Sequence, residues 1–207
     1  MGYAALPVRQ GPLHRVNKLM NILFINACPR KDSRTKMLAD YLLTKFNSHV
    51  QERNLTKTSL LPLSEEMLEQ RTVLTNKQDF NHPLFRLAKE FAVADTIVIA
   101  APFWDLSFPA LLKTYIENIN VVGITFSYNQ DGNPYGLCKA KKLYYVTTAG
   151  GPIVNDTYGY GYVKELAEKF YAIPEIYCIK AENLDVENAD VTQILQDTKR
   201  YIDTLAL

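Results

Sequence analysis

The sequence predicts an α/β fold in which a parallel β-sheet is covered by helices on both faces. Short apolar runs alternate along the chain with segments in which apolar residues recur at the spacing of one helix face. Most of the apolar runs are continuous, which is typical of strands that are buried on both faces. Strands that alternate with helices in this way build a parallel sheet, because each helix carries the chain back across it.

The strands are predicted from apolar runs that end in polar loops or turn residues. The third run, Thr96-Ile97-Val98-Ile99-Ala100, is the clearest, and the run at 56–61 is the weakest. In order along the chain, the predicted strands cover residues 21–27, 56–61, 96–100, 141–147 and 175–181.

The helices are predicted from apolar residues that fall on one face. In the helix at 83–94, for example, Leu84, Leu87, Ala88 and Phe91 share a face, whereas the stretch before it is charged and irregular and predicts no element. The other helices carry Met37, Leu38, Tyr41, Leu42 and Phe46 after the first strand, carry Leu111, Leu112, Tyr115, Ile116 and Ile119 after the third strand, and cover 161–171 and 188–206.

Five strands in this arrangement favour a flavodoxin-like three-layer sandwich with the strand order 2-1-3-4-5. In such a sheet, ligands bind in a crevice at the carboxyl ends of the strands, where the order of the strands reverses. We assign residues 20–207 to a single domain of this kind. Residues 1–19 contain prolines, glycines and arginines without periodicity and are interpreted as a mobile leader or an extra N-terminal segment.

Composition excludes several classes of function. The chain has 207 residues, is 47% hydrophobic and has a net charge of +1, so a nucleic acid or an anionic membrane is not expected as a partner. Its three cysteines are far apart and form no CxxC pair, and its three histidines are scattered, so no metal site is predicted. Unpaired cysteines favour the reducing cytoplasm, and the first residues resemble neither a signal peptide nor a membrane span.

The loop at 28–35 joins the first strand to the first helix and is a candidate phosphate site. Free amides and the positive end of the helix dipole favour an anion there, and the hydroxyls of Ser33 and Thr35 can add donors beside Arg34. The alternative is that Ser33 or Thr35 only caps the helix.

The same loop permits a second interpretation, a cysteine-dependent phosphatase of low molecular weight. Cys28 and Arg34 stand at the spacing at which such enzymes place a thiolate beneath a phosphate held by arginine. Against this interpretation, Pro29 donates no amide, the loop contains no glycine, and Asp32 would lie next to the phosphate.

The loop at 101–109 follows the third strand and contains Trp104, the only tryptophan of the chain. An aromatic side chain at the carboxyl edge of the sheet suits a flat, conjugated ligand. The alternative is that Phe103, Trp104 and Phe108 are core residues.

A third loop, at 147–152, follows the fourth strand. Its small residues and hydroxyls allow backbone to approach a ligand closely, although two consecutive glycines can also serve only to turn the chain. In the predicted strand order, all three loops meet at one edge of the sheet, which favours a single binding site.

Three strings in these loops resemble the flavin-dependent NAD(P)H:quinone oxidoreductases. They are a Ser-x-Thr loop after the first strand, APFWxxxxPAxLK after the third and TTxGG after the fourth. The segment at 123–128 is most similar to the bacterial FMN-dependent NADH-azoreductases. The resemblance covers residues 20–207 and departs from the family at Cys28, where relatives tend to carry serine.

The resemblance implies a set of contacts with FMN, which is preferred to FAD as the cofactor. Three groups are implied: Ser33, Arg34 and Thr35 at the phosphate, Pro102, Phe103, Trp104 and Asp105 along the isoalloxazine, and Thr147, Thr148, Ala149, Gly150 and Gly151 on its pyrimidine side. It also implies a homodimer in which Phe126 and Tyr128 help to roof the substrate. Ala149 stands where azoreductases often carry a basic residue.

The predicted function is therefore an FMN oxidoreductase that takes a hydride from NADH or NADPH and passes two electrons to a quinone, an azo compound or a similar acceptor. Because the flavin carries the chemistry, no catalytic side chain is assigned, and one site shared by both substrates implies ping-pong kinetics. An alternative from another class is a flavodoxin-type electron carrier. Such a carrier usually presents an acidic docking face, which the near-neutral charge does not suggest.

Overall fold

The computed structural model describes residues 20–205. The segment interpreted above as a leader, 1–19, lies outside the described residues. The main sheet has five parallel strands in the order β2-β1-β3-β6-β7, which is the order 2-1-3-4-5 when only these strands are counted. The predicted flavodoxin-like topology is therefore confirmed.

Fourteen elements follow one another along residues 20–205, counting one short 3₁₀ helix. The strands are β1 (Asn21–Asn26), β2 (His49–Asn54), β3 (Thr96–Ala100), β4 (Phe126–Tyr128), β5 (Pro134–Gly136), β6 (Lys142–Thr148) and β7 (Glu175–Ala181). The helices are α1 (Arg34–Leu43), α2 (Glu65–Asn76), the 3₁₀ helix Pro83–Phe85, α3 (Arg86–Val93), α4 (Ala110–Ile119), α5 (Tyr160–Lys169) and α6 (Val191–Asp203).

The sheet separates two apolar layers, as expected for strands that are buried on both sides. One layer packs α3, α4 and α5 against residues such as Ile25 and Ile99, and the other packs α1 and α6 against Phe24 and Val98. The register aligns Asn26 with Ala100 and Ala100 with Val146, so the loops that leave β1, β3 and β6 begin side by side. Among residues 20–205, no helix is long and apolar enough to cross a membrane.

The prediction of the second strand at 56–61 is wrong, because β2 lies at His49–Asn54. This strand is at the edge of the sheet, pairs only with β1 and has no fully buried residue. Its polar sequence therefore lacks the apolar signal that identifies the central strands. The leucines at 60 and 61, which follow it, place the predicted strand too late in the chain.

The charged stretch before the helix at 83–94, for which the sequence predicts no element, contains α2, which has no buried residue. A helix of this kind shows no apolar stripe, so periodicity cannot reveal it. Local signals were present nevertheless: Ser64 caps the helix by accepting from the amide of Met67, and Glu65 and Glu66 lie in its first turn, where they favour the helix dipole.

A two-stranded antiparallel sheet, β4 and β5, was also not predicted. Each of its strands has three residues, which is too short for a pattern of alternation to stand out. The remaining differences are shifts of element ends, such as the first turn of the helix at 83–94, which is 3₁₀, and the closing helix, which begins at Val191 after its cap Asp190.

Candidate functional site

A crevice of about 440 Å³ opens at the carboxyl edge of the sheet, where β1, β3 and β6 end. It contains nine of the twelve cofactor residues expected from the sequence. It is lined by Pro29, Arg30, Asp32, Ser33, Arg34, Thr35, Pro102, Phe103, Trp104, Thr148, Ala149, Gly150, Leu184 and Asp185. The other three expected residues, Asp105, Thr147 and Gly151, lie in the same loops next to lining residues.

One end of the crevice is the N-terminus of α1. The amides of Ser33, Arg34 and Thr35 donate to no acceptor within residues 20–205, as expected for the first turn of a helix. Ser33 caps the helix, because its Oγ accepts from the amide of Lys36 at 3.2 Å. The hydroxyl accepts in that bond, so capping does not use its hydrogen, which can be donated to the neighbouring Cys28 thiol or to a ligand. Capping and anion binding are therefore compatible at Ser33.

Thr35 joins this helix end to the end of β6. Its hydroxyl lies 2.6 Å from the hydroxyl of Thr148, and both residues are buried. Thr35 thereby holds the first and fourth loops together.

Arg34 points toward the loop after β7. Its guanidinium donates to the carboxylate of Asp185 at 2.8 Å and to the carbonyl of Leu184 at 3.1 Å. The pair brings this loop to the crevice and neutralises much of the charge of Arg34 there. Both side chains remain partly exposed to solvent.

Trp104 begins a tight turn at the other side of the crevice. Its amide and carbonyl exchange two hydrogen bonds with Ser107, at 2.9 and 2.8 Å. The two residues between them, Asp105 and Leu106, have φ angles of 50° and 65°, so both occupy the left-handed region that non-glycine residues seldom adopt.

This turn determines which amides can reach a ligand. The amide of Phe103 donates to the carbonyl of Thr148, and that of Trp104 donates to Ser107. Within the described chain, the amides of Asp105 and Leu106 have no acceptor. Trp104 is 37% exposed, so it is available for contact rather than enclosed in the core.

The fourth loop approaches the loop after β7 closely. A side chain at Gly150 would place its Cβ 2.6 Å from Oδ2 of Asp185, so a larger residue there would require the carboxylate to move. The amide of Asp185 in turn donates to the carbonyl of Gly150 at 2.9 Å. These contacts bring backbone, rather than side chains, to the floor of the crevice.

The thiol of Cys28 is poorly suited to act as a nucleophile. Cys28 is 5% exposed, and its Sγ lies 3.6 Å from the carbonyl oxygen of Ala100. Burial raises the pKa of the thiol to about 11, although a hydrogen bond with Ser33 and the charge of Lys36 act in the opposite direction. The thiol is therefore protonated at neutral pH, which disfavours a thiolate phosphatase.

The two residues expected to roof the substrate lie on β4, outside the crevice. Phe126 is 6% exposed and packs against Tyr128 and Phe170 at centroid distances of 5.4 and 4.7 Å. Tyr128 is 49% exposed. Of the two, only Tyr128 offers a substantial surface to another molecule.

Sequence reasoning missed the loop after β7, which supplies Leu184 and Asp185. The available signal was topological. Because β7 is the neighbour of β6 and runs parallel to it, its loop must also leave from the carboxyl edge of the sheet. The ion pair of Arg34 with Asp185 spans 151 positions in sequence, and no local pattern marks it.

The arrangement suits a ligand that has an anionic end and a flat end. Unpaired amides and the hydroxyl of Ser33 meet the chemical requirements of a phosphate. An accessible indole ring beside unpaired amides suits a conjugated ring with a polar edge. FMN combines these two features, so the residues present fit this cofactor.

Comparison with known proteins agrees with this geometry. Residues 20–203 match a family described by its flavodoxin-like fold. The chain is 34% identical over 189 residues to an FMN-dependent NADH:quinone oxidoreductase of Clostridium beijerinckii, covering 88% of this chain and 94% of the relative. It is 36% identical over 192 residues to FMN-dependent NADH:quinone oxidoreductase 2 of Clostridium acetobutylicum, covering 87% and 94%.

Solved structures show the same fold. A crystal structure of an azoreductase from Bacillus anthracis has a TM-score of 0.77 and 23% identity, covering 89% of this chain and 97% of that chain. An FMN-dependent NADH-azoreductase from Bacillus anthracis, solved in complex with FMN, has a TM-score of 0.76 and 22% identity, with coverage of 89% and 96%.

Proposed function

Because the chain belongs to the family with the flavodoxin-like fold, and is similar to its quinone-reducing members over most of its length, we propose that it is an FMN-dependent NADH:quinone oxidoreductase. It passes two electrons from NADH to quinones, azo compounds or similar acceptors. The observation that carries this proposal is the crevice, in which unpaired amides at the start of α1 lie in the same cavity as an accessible tryptophan.

The protein binds and orients the cofactor and the substrates. FMN, when bound, supplies the redox chemistry, because it accepts a hydride and returns two electrons to an acceptor. Ser33 and Thr35, together with the first amides of α1, hold the phosphate. Trp104 would contact the ring system of bound FMN, and the unpaired amides of Asp105 and Leu106 would donate to its polar edge. The crevice therefore needs no acid or base from a side chain, and the two substrates use the same exposed face in turn, which gives ping-pong kinetics.

The active form is a homodimer in this proposal. The support is that α2 has no buried residue and exposes Leu68 and Val73 beside a groove that also contains Val122. The exposed ring of Tyr128 is available to cover substrate at the neighbouring site. Isolated surface leucines need no explanation, but α2 packs on its own chain only through a half-buried face that includes Arg71 and Leu74, which leaves the rest of the helix available to a second subunit.

NADH is the donor favoured by the names of the relatives, and NADPH is a second candidate donor. A cytoplasmic location is supported by the state of Cys28, Cys138 and Cys178, all of which are free thiols.

Anaerobic mixing of the purified protein with NADH tests the function. The oxidoreductase should be yellow and should lose its flavin absorbance within seconds, and a quinone should then restore it. An electron carrier would bind the flavin without reacting with NADH. A colourless protein that does not take up FMN would contradict both interpretations.

A further inference from the structure

Arg30 is a cation in the crevice that has no anionic partner among residues 20–205. It lines the cavity with Asp32, Arg34 and Asp185, and it is exposed. Arg34 is paired with Asp185, whereas Arg30 forms no ion pair within the part of the chain that the structure describes. Its guanidinium lies near an aromatic ring, since its Cζ is 5.8 Å from the ring centroid of Trp104.

This contact positions the guanidinium and leaves its donors unused. A cation near an indole ring is attracted by the π system, and that attraction involves none of the N–H groups of the arginine. The planar guanidinium can then bind two oxygens of a carboxylate, sulfonate or phosphate at once. Arg30 therefore lies over the ring of Trp104 with its N–H donors available.

We propose that Arg30 binds an anionic group on the molecule that reacts above Trp104, and so determines which substrates the enzyme prefers. The inference rests on the proposed function, since it concerns the substrate of that site. The anion has two available sources, an acidic substituent of the acceptor and the pyrophosphate of NADH. The phosphate of FMN has its own donors in Ser33, Thr35 and the first amides of α1.

The test uses the FMN-loaded enzyme and two acceptors that differ in charge, a neutral naphthoquinone and its sulfonate. The variants are Arg30→Gln, which removes the charge, and Arg30→Lys, which keeps it but loses the planar fork. Lys31→Gln is the matched control, because it removes the same charge from the adjacent residue, which lies on the surface beside Lys36 and outside the crevice.

For each protein, kcat/KM is measured with both quinones, and the Kd for NADH is measured by rapid mixing. In Arg30→Gln, we expect kcat/KM for the sulfonate, relative to the neutral quinone, to fall about tenfold, which corresponds to about 1.4 kcal/mol. Arg30→Lys should lose part of the preference for the sulfonated quinone over the neutral one, and Lys31→Gln should match the wild type. The preference of the wild type should weaken as ionic strength rises, because salt screens exposed charges.

If Arg30→Gln lowers kcat/KM only for the sulfonated quinone, the acceptor is the source of the anion. If the variant binds NADH more weakly, the pyrophosphate is the source. Either result supports the proposal. Unchanged preference and NADH affinity in Arg30→Gln would overturn it, as would an equal effect of Lys31→Gln. Weaker binding of FMN relative to riboflavin, with the preference for the sulfonated quinone and the affinity for NADH unchanged, would assign Arg30 to the phosphate site instead. Failure of the proposed function is recognised separately, since the wild-type protein would then not react with NADH, and both proposals would be wrong.

Discussion

Trp104 is the residue that most directly separates a cofactor contact from a core position. The residue is 37% exposed and lines the crevice, so Trp104→Ala should leave the fold intact while removing stacking worth about 0.5–1.5 kcal/mol. We expect the Kd for FMN, measured by fluorescence titration of the apoprotein, to rise several-fold, and Trp104→Phe to retain most of the affinity. Wild-type affinity and turnover in Trp104→Ala would show that the ring does not contact the flavin.

Ser33 and Thr35 test the phosphate site. If both hydroxyls donate to the phosphate, changing both residues to alanine removes two charge-assisted hydrogen bonds of about 1.5–3 kcal/mol each. FMN should then bind at least tenfold more weakly, while riboflavin binds nearly as before. Titration of both flavins into the apoprotein measures the ratio of their affinities.

Because Ser33 also caps α1 and Thr35 is hydrogen-bonded to Thr148, the double variant should lose stability as well, about 1 kcal/mol for the cap and about 1 kcal/mol for the buried hydrogen bond. Ser64→Ala is the matched control, since Ser64 caps α2 in the same way and lies outside the crevice. It should lower stability without changing the FMN-to-riboflavin ratio. If that ratio also stays constant in the Ser33 and Thr35 variant, the loop does not hold the phosphate.

Cys28 should be dispensable for turnover. Its thiol is buried with a pKa raised to about 11, so at pH 7 it is neither ionised nor accessible. We expect Cys28→Ser to retain turnover within about twofold, because serine preserves the small polar group. We also expect an alkylating reagent to modify Cys28 slowly at pH 7 and faster as pH rises toward the pKa. Hydrolysis of p-nitrophenyl phosphate by the wild type that disappears in Cys28→Ser would favour the phosphatase instead.

At the scale of elements, the turn at 104–107 carries backbone strain. Leu106 has a φ of 65°, which costs a non-glycine residue about 1 kcal/mol, and its side chain is 62% exposed. Leu106→Gly should therefore raise the free energy of unfolding by about 0.5 kcal/mol, after the greater freedom of glycine in the unfolded chain is subtracted.

Urea denaturation would measure this change. Val154→Gly is the control, because Val154 is an exposed loop residue without a positive φ, and glycine there should only destabilise. Equal destabilisation by both changes would mean that Leu106 makes a contact that outweighs the relief of strain.

Elements also differ in how well a sequence reveals them. The strand Thr96–Ala100 is fully buried and coincides with its prediction, because burial on both faces demands an uninterrupted apolar run. Both α2 and β2 lack a buried residue and were missed or misplaced. A hydrophobic pattern indicates which residues are buried, so it does not reveal elements that lie at the periphery of the fold.

At the scale of the whole molecule, the exposed face of α2 predicts a dimer. Leu68, which is 48% exposed on α2, should lie in the interface, and Leu68→Asp would place a charge there at a cost above 1.4 kcal/mol. We expect the dissociation constant of the dimer to rise at least tenfold, as measured by light scattering after gel filtration. Tyr201→Asp, on α6 at the opposite face of the sheet, should leave the dimer intact. A wild-type protein that is monomeric at micromolar concentration would contradict the prediction.

The sequence by itself determined the parallel sheet, its strand order and the three loops that meet at the crevice. These features follow from local causes, since buried strands must be apolar and loops after parallel strands must leave from one edge. Tertiary structure alone decided the pairing of Arg34 with Asp185 and the lack of an ion pair for Arg30 within residues 20–205. It also decided which amides near Trp104 are available to a ligand. Each of these depends on groups far apart in the chain or on the hydrogen bonds of one turn, and a residue's partners are set by where the fold places them, not by its neighbours in sequence.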